Sequence, residues 1–199
     1  MKEYLTERCY GYIIYHEEGA MLSLLFPGAY AEDVFSIDYD GLYRRGYRAV
    51  IFDIDNTLVP HGADSTPRVD MLFARIQAAG LKTCLLSNND EERVLRFCTN
   101  IDTSYVCDAE KPKKSGLQKA LKLLKVKKEE AVLVGDQVFT DIFCANRCRV
   151  DSILVRFIGY YTETRIGPRR ELEKLVLKAY ALSRKYQSKL GDLVELLEK

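Results

Sequence analysis

The chain has 199 residues, 47% hydrophobic and 30% charged, and its 30 Lys and Arg against 29 Asp and Glu leave a formal charge of +1. A length of this order predicts one domain that buries about 70% of its unfolded surface and needs no disulfides or structural metal to fold. The composition excludes a disordered or collagen-like chain, and the near-neutral balance makes nucleic acid an unlikely partner.

The first segment, residues 1–47, stands apart. It holds 10 of the 21 aromatic residues: Tyr4, Tyr10, Tyr12, Tyr15, Phe26, Tyr30, Phe35, Tyr39, Tyr43 and Tyr47. Tyr and Phe beside short apolar runs suit a membrane surface. Acids outnumber Lys and Arg there, however (Glu3, Glu7, Glu17, Glu18, Glu32, Asp33, Asp38 and Asp40), and anionic lipid repels that balance. Residues 1–47 therefore read as an N-terminal extension whose rings pack on the domain, with lipid contact as the alternative. The apolar stretch Ala20–Phe26 is too short to cross a bilayer and follows Glu17 and Glu18, unlike a signal peptide. The expected location is cytoplasmic, with peripheral membrane contact as the variant.

From Arg48 onward, short apolar runs alternate with helical patterns. Ala49–Ile54 reads as a buried strand running into acids, and Val69–Ala79 as a helix ended by Gly80. Lys82–Ser87 reads as a strand, Asp90–Thr99 as a helix, Ser104–Cys107 as a strand and Ser115–Leu124 as a Lys/Leu helix. Ala131–Gly135 is a fourth strand, Asp141–Arg147 a helix and Ser152–Arg156 a fifth strand. This alternation over residues 48–167 predicts an α/β domain, a parallel sheet with helices on both faces. The eight Lys of residues 111–128, with no acid among them, read as a solvated face, the alternative being attraction for anionic substrate or lipid headgroups.

Residues 168–199 read as one long helix. Leu172, Leu175, Ala179, Leu182, Tyr186, Leu190, Leu193 and Leu197 step by three and four, and Gly191 weakens its end. Docking on the domain is the plain reading and a homodimer seam the sharper one. The six cysteines (Cys9, Cys84, Cys98, Cys107, Cys144 and Cys148) form no C-x-x-C pair, which leaves zinc-finger and thioredoxin chemistry without support. Cys84 and Cys107 lie in apolar runs and read as buried. Cys144 and Cys148 share a helix face, but two thiols alone are an incomplete metal site, so packing in a reducing cytoplasm is expected.

The polar residues at the strand ends carry the chemistry. The first strand ends in Asp53 and Asp55, the second in Ser87, Asn88 and Asn89, and the fourth in Asp136 and Asp141; Lys111 and Pro112 lie between the last two. Parallel strands place these ends on one edge, where such sheets bind ligands. Asp53, Asp55, Asp136 and Asp141 should converge there, beside Ser87 and Lys111. Two like charges ~4 Å apart repel by ~4 kcal/mol at an effective dielectric of ~20. Four carboxylates therefore require a hard divalent cation, and an all-oxygen ligand set favours Mg2+ over zinc. With Asp55 protonated by its neighbours, the four acids, Mg2+ and Lys111 make a neutral site, and Ser87, Thr57 and loop amides remain to hold a phosphate dianion. The Asp-x-Asp spacing aims both acids at one ligand, one to attack phosphorus and one to serve the leaving oxygen. His61, in the flap that follows, reads as a solvated loop residue, with substrate contact as the alternative.

Four motifs occur in order at these strand ends: Asp-x-Asp-x-Thr (Asp53, Asp55, Thr57), Ser87, Lys111 of Lys-Pro, and Gly-Asp-x4-Asp (Asp136, Asp141). They resemble the phosphatases of the haloacid dehalogenase (HAD) superfamily. The fuller strings DIDNTLVP (Asp53 to Pro60), SNN (Ser87 to Asn89) and GDQVFTD (Gly135 to Asp141) resemble the YqeG family of subfamily IIIA, from about Phe26 to the strand at Ile153–Val155. The resemblance implies a HAD-like Rossmannoid fold and a Mg2+-dependent phosphomonoester hydrolase. In that scheme Asp53 is the nucleophile and forms an aspartyl-phosphate. Asp55 protonates the leaving alcohol and then activates water. Mg2+ is held by Asp53, the Asp55 carbonyl and Asp136, with Asp141 direct or through water. Ser87 donates to the phosphoryl group, and Lys111, rather than Lys113 or Lys114, stabilises the developing charge. Thr57 and Asn88 bind substrate. An acid at position 55 favours hydrolysis over ion pumping.

The intervals from Asp53 to Ser87 and from Ser87 to Lys111 are too short for the cap domain of small-metabolite HAD enzymes. An uncapped site implies a large or membrane-borne substrate. The family's similarity to mitochondrial phosphatidylglycerophosphatases points to phosphatidylglycerophosphate. The alternative is a non-catalytic protein that holds a metal or phospho-ligand on the same scaffold. A phospho-accepting receiver domain is disfavoured, because Asp53 ends the same strand as its acid partner.

Overall fold

A computed structural model of the chain describes residues 22–159, 168–187 and 189–194, so the readings of Tyr4, Cys9, Tyr10, Tyr12, Tyr15 and Leu197 lie outside the described residues. Six strands form one parallel sheet: β1 (Ala29–Ala31), β2 (Ala49–Phe52), β3 (Lys82–Leu86), β4 (Ser104–Val106), β5 (Ala131–Gly135) and β6 (Asp151–Val155). Their order is β1-β6-β5-β2-β3-β4. The apolar runs of β2 and β5 are buried along their whole length because both faces are covered.

Alternate residues supply the two faces. Val50, Phe52, Leu85, Val132 and Val134 pack under α1 (Tyr39–Arg44), α2 (Pro67–Ala78) and α3 (Glu91–Phe97). Ala49, Ile51, Cys84, Leu86 and Leu133 pack under α4 (Lys114–Leu124) and α5 (Phe143–Cys148). A third cluster joins Phe26, Val138, Ile142 and Leu154 to Val176 and Tyr180 of α6 (Pro168–Ala181).

Local signals set the helices. Thr66 accepts from the Val69 N–H at 3.3 Å and Pro67 opens α2; Val69, Leu72, Phe73 and Ile76 bury its inner stripe, and Gly80, at φ +92°, lets the chain leave it. Asp90 accepts from the Arg93 N–H at 2.9 Å and caps α3, where Glu91 and Glu92 face the positive end of the helix dipole.

Three expectations change. Residues 29–31, read from sequence as part of an extension, form the edge strand β1 beside β6; three residues are too few to show a periodicity. The rings of Phe26, Tyr39 and Tyr47 are buried on the domain. Tyr39 donates its hydroxyl to the Val34 carbonyl at 2.6 Å, and Tyr47 donates to Asp151 at 2.6 Å.

The long helix expected over 168–199 instead stops at Ala181. The Gln187 side-chain amide donates to the carbonyls of Tyr180 and Ala181 at 2.9 and 2.7 Å, which caps the end of α6. A short helix α7 (Arg184–Gln187) follows, and the chain then returns to the sheet, where Leu190, Leu193 and Val194 are buried in the main core. Their three-and-four spacing thus reflects packing beyond the turn. Finally, Cys107 is only half-buried, while Cys84 is buried as expected; Cys144 is buried and Cys148 half-buried on α5.

Candidate active site

The chain runs from β2 to β3 and β4 on one side and places β5 and β6 on the other, so the crevice at the carboxyl ends of β2 and β5 is the switch point of the sheet. Asp53 continues β2 into this crevice, its N–H donating to Val134 O at 2.9 Å. Beyond it Ile54 and Leu58 are buried and anchor a tight turn, with Asn56 in the left-handed region at φ +63°. Ser87 follows β3, and its N–H donates to Val106 O at 3.0 Å. Asp108 (φ +44°) and Glu110 (φ +52°) hold left-handed conformations just before Lys111, a strain of about 1 kcal/mol or more each of the kind concentrated at functional sites. Asp141 stands on a single turn of π-helix, Val138–Ile142, and is fully buried. Gly135 is required beside it, since a Cβ there would lie 2.4 Å from the Asp141 carboxyl carbon.

Oxygens of Asp53, Asp136 and Asp141 lie within 4.8 Å of one another. The Lys111 ammonium sits between two of these carboxylates, 2.6 Å from Asp53 Oδ1 and 2.7 Å from Asp141 Oδ1. Burial alone would lower the Lys111 pKa, but Asp141 and Asp53 hold it above its usual value. The Gln137 N–H donates to Asp141 Oδ2 at 3.1 Å. Three buried carboxylates against one lysine form an all-oxygen donor set that fits a hard divalent cation.

Asp55 departs from the expected group of four. Its carboxylate turns to the flap and α3. The Gly62 N–H donates to Oδ1 at 2.9 Å, the Arg93 guanidinium donates to the same oxygen at 2.8 Å, and the Asn89 amide donates to Oδ2. His61 Nδ1 is 3.7 Å from Oδ2 and its ring is largely exposed. Burial pushes the Asp55 pKa up, but Gly62, Arg93 and Asn89 together bring it below the usual carboxylate value. A protonated Asp55 in a neutral site is therefore corrected to an ionised one.

Two further expectations are redirected. Thr57 is buried and donates to Asp136 Oδ1 at 3.1 Å rather than facing the cleft. Asn88 lines the cleft, but its amide grips the Lys111 main chain, accepting from Lys111 N at 2.7 Å and donating to Lys111 O at 3.1 Å. Asn88 thus holds the loop that presents the lysine. The cleft has a volume of about 140 Å³, and Asp53, Asp55, His61, Ser87, Lys111, Gln137 and Thr140 are among its lining residues.

Several residues at the site were not read from the sequence. Arg93 is one, on Asp55, where the cap at Asp90 was the available signal; Asn89, read from the sequence only as a strand-end residue with no role assigned, holds the same carboxylate. Arg170 of α6 is another: it contacts Asp136 and pairs with Glu173 at 2.8 Å. Its partner lies far back in the chain, and no local pattern announces it.

Burial, reinforced by Asp141 and Asp136, pushes Asp53 up to about 7 against the pull of Lys111; burial and Asp141 push Asp136 up to about 6 against Arg170. Without metal, the folded protein thus binds protons that the unfolded chain has released. This contribution to stability is present at low pH and is lost as pH rises through about 7. Thermal melts in EDTA should give a higher Tm at pH ~5.5 than at pH ~8, a window above the one in which Asp55 titrates. A Tm that stays level or rises from pH ~5.5 to pH ~8 contradicts the assignment of these carboxyls.

Comparisons with known proteins follow the same lines. A family profile described as hydrolase, haloacid dehalogenase-like hydrolase, matches residues 64–148. The chain is 32% identical over 165 residues to the probable phosphatase YqeG of Bacillus subtilis (strain 168), covering 80% of this chain and 94% of that one. It is 26% identical to the chloroplastic/mitochondrial phosphatidylglycerophosphate phosphatase 1 of Arabidopsis thaliana, covering 78% of this chain and 48% of that protein. Among solved structures, a putative haloacid dehalogenase-like hydrolase from Bacteroides fragilis superposes with a TM-score of 0.48 at 16% identity, covering 59% of this chain and 91% of the other.

Proposed function

Because the chain belongs to the haloacid dehalogenase-like hydrolases, in the family of the YqeG phosphatase, and is a phosphatase with their α/β fold, we propose that it cleaves phosphomonoesters with Mg2+ through an aspartyl-phosphate on Asp53. We assign its substrate as the headgroup phosphate of a membrane phospholipid of the phosphatidylglycerophosphate type. The observation that carries the chemistry is the Asp53 carboxylate in an open cleft, held 2.6 Å from the buried Lys111 ammonium and grouped with Asp136 and Asp141.

In the first displacement a carboxylate oxygen of Asp53 bonds to phosphorus as the bond to the leaving oxygen breaks. A monoester monoanion carries a proton to the cleft, and Asp55 relays it to the leaving oxygen. In the second, water bonds to phosphorus, Asp55 takes the water proton and passes it to the departing phosphate, and the bond to Asp53 breaks, which releases phosphate and restores both carboxylates. The ionised Asp55 held by Gly62, Arg93 and Asn89 is the form that this second step uses. Ser87 Oγ accepts from the Asn89 N–H at 3.1 Å, which leaves its hydroxyl proton to donate to a phosphoryl oxygen. Lys111 stabilises charge on Asp53 and on the transferring group. Asp53, Asp136 and Asp141, with the Asp55 carbonyl, would hold Mg2+, which when bound neutralises phosphoryl oxygens.

The substrate class rests on access. Between Asp53 and Ser87 stand only the flap, α2 and β3, and between Ser87 and Lys111 only α3, a 3-10 turn and β4, so neither interval holds a cap domain. The similarity to a phosphatidylglycerophosphate phosphatase supports a lipid headgroup. Among the described residues no helix is long and apolar enough to cross a membrane, and this reading makes any lipid contact peripheral. Purified protein with Mg2+ is expected to release phosphate from p-nitrophenyl phosphate and to stop in EDTA. In a panel, phosphatidylglycerophosphate in mixed micelles should turn over faster than nucleotides or phosphopeptides. The opposite preference overturns the lipid assignment.

A further inference from the structure

Arg170 lies on α6, outside every motif of the site, yet it holds Asp136 at two points. One guanidinium nitrogen donates to the Asp136 main-chain carbonyl at 2.8 Å, and the other donates to Asp136 Oδ2. Glu173, buried one turn further along, accepts from the same guanidinium at 2.8 Å through Oε2, and its Oε1 accepts from the Val138 N–H at 2.9 Å. From the other side Thr57 donates to Asp136 Oδ1 at 3.1 Å. The Phe157 ring packs on the guanidinium, 4.5 Å from its carbon. An ionised carboxylate accepts about four hydrogen bonds. Asp136 is thus gripped on both oxygens and on its main chain, and still has lone pairs to offer where it meets Asp53 and Asp141 within 4.8 Å.

We propose that Arg170, steadied by Glu173, is a positioning residue for Asp136, so that helix α6 is a working part of the cation site. The inference rests on the metal reading above. Its sign follows from electrostatics. A positive charge beside a metal ligand repels the cation, so a bystander arginine, once removed, would let Mg2+ bind more tightly. Here Glu173 offsets that charge, and what Arg170 adds is orientation. Partners that orient a metal ligand typically contribute 10–100-fold in affinity.

The test is calorimetric titration of Mg2+ into EDTA-treated, desalted protein, with turnover measured alongside. Arg170→Met is expected to weaken Mg2+ binding by about 10-fold or more, with turnover largely restored at saturating Mg2+. Arg170→Lys keeps the charge but not the two-point fork, and is expected to weaken binding several-fold. This second variant decides the matter if Arg170→Met does not fold. Affinity equal to or tighter than wild type in a folded variant overturns the positioning role and leaves the metal reading standing. A wild-type protein that shows no Mg2+ binding overturns the metal reading, and this inference with it.

Discussion

Replacing Asp53 with Asn is expected to lower turnover of p-nitrophenyl phosphate at saturating Mg2+ by about 10³-fold or more, while the fold is kept. Asn has nearly the size and shape of Asp and can still accept from Lys111, which stands 2.6 Å from Asp53 Oδ1. On the proposed mechanism it loses the anionic oxygen that bonds to phosphorus, and the other carboxylate among the cleft's lining residues, Asp55, is engaged by Gly62, Arg93 and Asn89. The substitution also removes one of three mutually repelling carboxylates, so the metal-free variant should melt at or above the wild-type temperature. The assay is phosphate release with a parallel thermal melt. Wild-type turnover in the variant would remove Asp53 from the role of nucleophile, whereas loss of turnover together with loss of fold would show that its role is structural.

Lys111→Met is expected to abolish turnover and also to destabilise the protein, which sets it apart from the first variant. Lys111 is almost completely buried, and its ammonium is shared by Asp53 and Asp141. Met preserves most of the stem but leaves three buried carboxylates with no lysine. Removing one partner of a buried charge pair costs about 3–5 kcal/mol, which for a chain of this size lowers Tm by roughly 6–20 °C. Adding Asp53→Asn to Lys111→Met should recover part of that loss, because the two groups are in direct contact and their effects cannot be independent. Denaturant titration of the four proteins of this cycle measures the coupling. Additive effects would mean that the ion pair is not formed in solution.

Much of this site was legible because its chemistry clusters at strand ends. A run such as AVIFD or AVLVGD announces both a buried strand and the acid that terminates it, and parallel topology then brings Asp53, Asp136 and Lys111 together without knowledge of any side-chain angle. What the pattern could not convey was the direction in which each side chain turns. Asp55 shares the Asp-x-Asp spacing, yet three donors, on the flap, the loop after β3 and α3, draw it away from the other carboxylates. Thr57 and Asn88 are correctly at the edge of the sheet, but their hydrogen bonds serve Asp136 and Lys111. Arg170 was hidden for a different reason. The leucine stripe of this segment pointed to a docking or dimer face and said nothing of its charged residues, and only the packing of α6 on the turn at Val138–Ile142 reveals that Arg170 reaches Asp136. The end of α6 was missed similarly, since a glutamine that turns back to cap two carbonyls leaves the spacing of leucines undisturbed.

The two outermost strands have a bearing on how this protein behaves at high concentration. β1 and β4 contain three residues each, against five in β3, β5 and β6. A neighbouring molecule seeking to extend the sheet would find only a few unpaired main-chain groups on either margin, too short a template for stable strand addition. The cleft lies at the middle of the sheet, away from these borders, which offer little purchase for the cross-molecular pairing that begins aggregation.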